Sequence, residues 1–126
     1  MRLSGDFFHI TKLDNDNGES VSLLEINASH KIFEGHFPGQ PVVPGVCMMQ
    51  MVKEIIEKVV GRKTRIANAD NLKFLTIIDP TKNKNIRADL KYTVTDDGKI
   101  NVSASFTSGT VTYFKMSGIF IFEENE

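Results

Sequence analysis

Several features that would settle a function on sight are scarce in this sequence. It holds one cysteine in 126 residues. A lone Cys47 excludes an internal disulfide and a cysteine-built metal site. Fifteen Lys and Arg stand against sixteen Asp and Glu, for a formal net charge of -1. A general nucleic-acid binder needs a basic surplus or a basic face, so no nucleic-acid partner is expected. No apolar run is long enough to span a bilayer. The opening MRLSGDFF lacks the hydrophobic stretch of a secretory leader. The expectation is a soluble, cytoplasmic protein with no membrane partner. Proline is scarce too, at four residues, yet Pro38, Pro41 and Pro44 crowd into HFPGQPVVPGVCMMQ, residues 36–50.

A chain of this size predicts one domain, 1–126, with a modest core that a partner subunit would help to cover. DFFHITKL (6–13) is rich in β-branched and aromatic residues, and DNDNG (14–18) reads as a turn. SVSLLEIN (20–27) alternates as a half-buried strand does. Residues 28–44 have no helical period and read as an ordered loop. A helix is predicted from about Gly45, after Pro44, to a stop at Gly61. Its first half, VCMMQMV (46–52), is apolar all round apart from Gln50, the mark of a helix buried on all sides. Its second half, KEIIEKVV (53–60), is amphipathic. Strand patterns follow at 64–78, 85–95, 99–108 and 110–122, with Asp97-Gly98 as a hairpin signal. Ile86, Ala88, Leu90, Tyr92 and Val94 share one face of the second of these. Short connections imply an antiparallel sheet, and one long helix on it makes an α+β layer structure. A single helix covers little of such a sheet, so a second copy is expected to cover or extend it.

The proline stretch has chemical content of its own. Each residue before a proline, here Phe37, Gln40 and Val43, is pushed towards extended geometry. The loop therefore has little entropy to lose. Gly45 offers a bare N–H at a helix start, where the dipole is positive and early amides lack intrahelical partners. Such an amide can bind a carbonyl oxygen and stabilise charge that develops on it. A histidine nearby is the usual base near neutral pH. The competing reading of His36 is a structural histidine beside a rigid loop. His9, in a strand, and His30, with no motif around it, read as structural or exposed.

His36-Phe37-Pro38-Gly39, then Pro41-Val42 and Pro44-Gly45-Val46, resemble the signature of the 3-hydroxyacyl-acyl carrier protein dehydratases, with nine positions in fixed spacing. Phe33 and Asn71-Leu72-Lys73-Phe74 extend the resemblance more weakly. It implies a hotdog fold, a long central helix wrapped by a roughly six-stranded antiparallel sheet. It implies a dimer with two sites at the subunit interface. His36 would remove the α-proton of a 3-hydroxyacyl thioester, and the Gly45 amide, with Val46 beside it, would hold the thioester carbonyl. Phe33, Phe37, Met49 and Phe74 would line the acyl tunnel. An acidic residue fourteen positions after the histidine, from the other subunit, would protonate the departing hydroxyl. That position is Gln50.

Glutamine has the shape of glutamate but no titratable proton. General acid–base help is worth about a hundredfold to ten-thousandfold. Four readings stay open. His36 acts alone while Gln50 holds the hydroxyl. Glu34, two residues before His36 in extended chain, supplies the acid. A different hotdog chain supplies it. Or the protein binds acyl thioesters without turning them over, as a weak or silent subunit. Gln50 can also be read as the top of a polar stripe with Lys53, Glu54 and Glu57. A thioesterase is a further alternative, which Gln50 also disfavours.

Met48, Met49 and Met51 suit either a pliable tunnel or ordinary core. Nothing basic is placed to activate Cys47 as a nucleophile. The expected partner is an acyl thioester on acyl carrier protein or CoA, with a homodimer or a heterodimer with another hotdog chain. Carrier proteins are acidic, so Lys58, Arg62, Lys63 and Arg65, or Lys82, Lys84 and Arg87, are candidate docking faces. No metal and no organic cofactor are expected, because the thioester itself acidifies the α-proton.

Overall fold

Six strands form one antiparallel sheet in the computed structural model of the chain, which describes residues 2–35 and 41–123. The strands are β1 (Phe8–Asp16), β2 (Glu19–Ile26), β3 (Thr64–Phe74), β4 (Asn85–Val94), β5 (Lys99–Ser108) and β6 (Val111–Phe122). A short turn of helix, α1 (Ile32–Gly35), and a long helix, α2 (Gly45–Val60), lie between β2 and β3. The sheet order is β1-β2-β4-β5-β6-β3, so β1 and β3 are the edges. This is the α+β hotdog arrangement expected, one long helix against six antiparallel strands.

The strand faces that alternate inward meet the apolar side of α2. Leu24 and Ile26, Ile86, Ala88 and Leu90, Ile100 and Phe106, and Phe114 and Phe120 are all buried. Cys47, Met48, Met51, Val52, Ile55 and Ile56 of α2 close on them. Fully burying one large aliphatic or aromatic side chain stabilises by about 1.5–3 kcal/mol, so this layer holds the helix in place. Pro44 precedes α2 in extended geometry (φ -63°, ψ 147°). Gly61, at φ 73°, ends it by donating its N–H to the Glu57 carbonyl.

Several boundaries differ from the sequence reading, each for a local reason. The turn expected over 14–18 shrinks to Asn17 and Gly18, both at positive φ, because a two-residue hairpin lets β1 run on to Asp16. The loop expected over 28–44 contains the helical turn α1, where the Phe33 and Glu34 amides donate to the carbonyls of His30 and Lys31. The strand expected over 64–78 stops at Phe74. Residues 75–78 leave the ladder, with the Leu75 and Thr76 amides both donating to the Tyr113 carbonyl. Val94 is 49% exposed at the far end of β4. The first half of α2 is not enclosed on all sides. Val46 is 67% exposed and Met49 half-buried, because one sheet covers only one side of a helix. Among the described residues no helix is long and apolar enough to cross a membrane.

Candidate active site

The start of α2 presents two unused donors. The Pro44 carbonyl accepts from the Cys47 and Met48 amides, at 3.0 and 3.2 Å. The Gly45 and Val46 amides donate to no described residue. They lie at the positive end of a 16-residue helix, where backbone N–H groups attract an oxygen that carries negative charge. The Val43 amide donates to the Ile78 carbonyl at 2.9 Å. This bond holds residues 75–78 beside the helix start. Between the two runs an apolar groove of about 410 Å³, lined by Val42, Val43, Gly45, Met48, Phe74 and Ile77.

The Phe74 ring stands over the open face of Gly45. A β-carbon on Gly45 would lie 2.9 Å from Cε1 and Cζ of the Phe74 ring, closer than carbon atoms pack. The ring rests on Phe114 at 5.2 Å between centroids, and Phe74 remains 53% exposed. Bare amides beside an apolar groove suit a thioester, with its carbonyl oxygen on the N–H groups and its acyl chain along Met48 and Phe74.

Gln50 stands on a different side of the helix. It is half-buried and lines a separate cleft of about 640 Å³, together with Arg2, Ser4, Lys53, Glu54 and Lys58. Among the described residues the cleft and the groove have no lining residue in common. Within one chain, therefore, Gln50 and the Gly45 amide do not face the same space. Five residues at about 100° each carry position 50 well round the helix from position 45.

The polar stripe below Gln50 is more than a solvated face. The Gln50 Nε2 donates to Glu54 Oε2 at 2.9 Å. The Glu54 carboxylate also accepts the Leu3 amide at 2.8 Å and the Ser4 amide at 2.7 Å. One turn on, Glu57 accepts the Thr64 amide at 2.7 Å and pairs with Lys53 at 3.4 Å. These two carboxylates tie the N-terminal segment and the start of β3 to the helix. The sequence reading places both in a polar stripe and gives them no partners. Their partners lie 51, 50 and 7 positions away along the chain. The Gln50–Glu54 spacing of four was the only visible signal.

His36 and Phe37 lie outside the described residues. Phe33 packs into the core on Phe7, at 5.4 Å between centroids, and lines neither cavity. Met49 lines neither cavity, whereas Met48 faces the groove and Met51 is core. Glu34 is exposed on the α1 turn. Its expected alignment with His36 involves a residue outside the described ones. His9 is exposed. His30 is structural: its Nδ1 accepts the Ile32 amide at 3.1 Å and its Nε2 meets Asp6 at 3.0 Å. Cys47 is fully buried, and burial pushes its thiol up from the ordinary value, which suits packing rather than nucleophilic attack. Among the described residues no group of His, Cys, Asp or Glu is placed to hold a metal ion. Of the basic candidates, Arg87 is engaged by Asp89 at 3.0 Å, and Arg62 stacks over Phe122 at 4.1 Å. Lys58, Lys63 and Arg65 are exposed.

Known proteins resemble this chain in both sequence and fold. A 3-hydroxyacyl-[acyl-carrier-protein] dehydratase FabZ from Sinorhizobium fredii is 31% identical over 70 residues, 56% of this chain and 44% of that protein. The chain thus spans less than half the length of that relative. An uncharacterized protein from Erwinia carotovora subsp. atroseptica superposes with a TM-score of 0.61 at 24% identity, over 92% of this chain and 91% of that one. A chain of the dehydratase heterocomplex ApeI:P from Xenorhabdus doucetiae superposes with a TM-score of 0.66 at 17% identity, over 89% and 96%. The sequence pattern of the ApeI-like family, ApeI dehydratase, matches residues 12–112. With that span covering most of the chain, this protein belongs to the ApeI-like dehydratase family.

Proposed function

We propose that this protein eliminates water from 3-hydroxyacyl thioesters, presented on acyl carrier protein or CoA, to give trans-2-enoyl thioesters. The observation that carries the reading is the pair of unused amides, Gly45 and Val46, beside the apolar groove. The thioester carbonyl docks on those amides and the acyl chain lies along Met48 and Phe74. His36 takes the α-proton, and the electron pair of the broken C–H bond moves into an enolate whose oxygen the Gly45 amide stabilises. The enolate collapses, the β-carbon–oxygen bond breaks, and the hydroxyl leaves with the proton that His36 returns. Gln50 holds the hydroxyl but supplies no proton.

The site is completed by a second hotdog chain, because Gln50 and the Gly45 groove open into different cavities of one chain. The free edge of β3 and the segment after it suit that partner. Leu72, Phe74, Leu75 and Ile77 are all exposed there, at 38 to 61%, and clustered exposed apolar side chains of this kind suit an interaction site.

A second reading is a weak or silent subunit that binds acyl-carrier thioesters and completes a site with a chain that carries the acid. The amide at position 50 favours it, and so does the ApeI:P relative, which is a dehydratase heterocomplex. The deciding experiment assays the purified protein alone on 3-hydroxyacyl-carrier thioesters of several chain lengths. Turnover abolished by His36→Ala supports the first reading. Binding without turnover supports the second.

A further inference from the structure

Glu54 is the most heavily engaged carboxylate near the candidate site, and nothing in the reaction above uses it. It accepts three donors within 2.9 Å: the Leu3 amide, the Ser4 amide and the Nε2 of Gln50. Two of them are backbone groups, fixed by the N-terminal segment that runs into β1. The Phe7 and Phe8 amides in that segment donate to the Leu3 carbonyl, and Leu3, Phe7 and Phe8 are buried. The carboxylate is thus anchored on one side by rigid chain and offers its remaining capacity to the helix.

An ionised carboxylate only accepts hydrogen bonds, whereas the two arms of a carboxamide differ, one donating and one accepting. The Gln50 amide can meet Glu54 only by its NH₂ arm. The anchored carboxylate thereby decides which way round the amide stands. We infer that Glu54 is a positioning residue for Gln50: it holds the NH₂ arm of that carboxamide and so presents the carbonyl oxygen, as an acceptor, to the substrate's β-hydroxyl. The inference rests on the dehydratase reading for its consequence but not for its geometry. It explains how a glutamine can serve a dehydratase site. A flipped amide would present its NH₂ to the hydroxyl, donating to the hydroxyl oxygen instead of accepting its proton, and so hold it in a different orientation. A fixed amide keeps one hydroxyl orientation without any proton of its own.

The test uses the full chain with Glu54→Gln, Gln50→Ala and the double variant. Glu54→Gln keeps an acceptor oxygen for only one of the Leu3 and Ser4 amides, which meet different carboxylate oxygens, and it no longer excludes the flipped amide. Glu54→Asp, which keeps the charge and withdraws it by one methylene, is the second variant. Thermal melts establish that each is folded.

The first readout is the ¹⁵N–¹H correlation of the Gln50 carboxamide, assigned by its loss in Gln50→Ala. One of its two protons should be deshielded and slow to exchange in the parent protein, and should return to ordinary carboxamide positions in Glu54→Gln. An unchanged signal overturns the inference. The second is turnover. Glu54→Gln should lower kcat by about tenfold with KM little changed. In the Gln50→Ala background the same change should cost less than about twofold, because contacting residues that act through one another are not additive. An equal loss in both backgrounds overturns the inference. Should the parent protein turn over no 3-hydroxyacyl thioester, the dehydratase reading falls, and the carboxamide signal alone decides the positioning role.

Discussion

Gly45→Ala separates the chemical role of the helix start from its packing role. The new β-carbon would lie 2.9 Å from Cε1 and Cζ of Phe74. Those atoms are the far end of a ring that is 53% exposed, so the ring swings outward and the backbone stays. Losing its stacking on Phe114 costs about 0.5–1.5 kcal/mol. Alanine in place of glycine in a helix returns up to about 1 kcal/mol. The two nearly cancel, and the melting temperature should move by less than about 5 °C. Catalysis should not survive as well. The methyl group stands in the groove, the displaced ring reshapes its wall, and the carbonyl no longer reaches the Gly45 amide squarely. Loss of one such donor lowers turnover by about 100- to 1,000-fold. The assay is kcat and KM for a 3-hydroxyacyl-carrier thioester, alongside a thermal melt. Full turnover with an unchanged melt would show that the Gly45 amide does not hold the carbonyl. A fall in melting temperature beyond about 10 °C would show that glycine is there for packing.

Three further outcomes follow from the same geometry. Gln50→Glu places a second carboxyl where the amide now donates to Glu54; like charges that close favour a proton between them, so turnover should rise, by about tenfold or more, with a new fall in rate as pH rises and that proton is lost, and a rate that stays flat or falls counts against Gln50 as the residue that meets the hydroxyl. Ile77→Lys, at a side chain 61% exposed beside the groove, should convert a dimer to monomers in sedimentation with little change in circular dichroism; an unchanged sedimentation coefficient would move the subunit interface elsewhere. Reversing Arg62 and Lys63 to glutamate, beside the cleft that holds Gln50, should raise KM for carrier-linked substrate about tenfold at low salt and leave the CoA-linked substrate unaffected, since steering by rim charges fades with ionic strength; equal effects on both substrates would remove this face as the carrier's dock.

Much of the architecture was legible because it is locally encoded. Pro44 and Gly61 bracket α2 by backbone rules that need no other part of the chain. Alternation in 20–27 and 85–95 declares strands and their buried faces. The register from His36 to Gln50 is pure spacing, and it singled out the position at which the resemblance leads one to expect an acid. What stayed hidden depends on contacts between distant segments. That β3 would be an edge and β2 would pair with β4 follows from how the whole sheet closes on the helix, not from any window of sequence. The exposure of Val46 follows from the same closure. So does the division of the helix surface into an apolar groove at Gly45 and a polar cleft at Gln50. Glu54 reads as part of a polar stripe in the sequence and is an anchor in the fold, because its two backbone partners, Leu3 and Ser4, lie 51 and 50 positions away. Local rules set each segment's shape; only the packed chain decides which segment a carboxylate finds within hydrogen-bond reach.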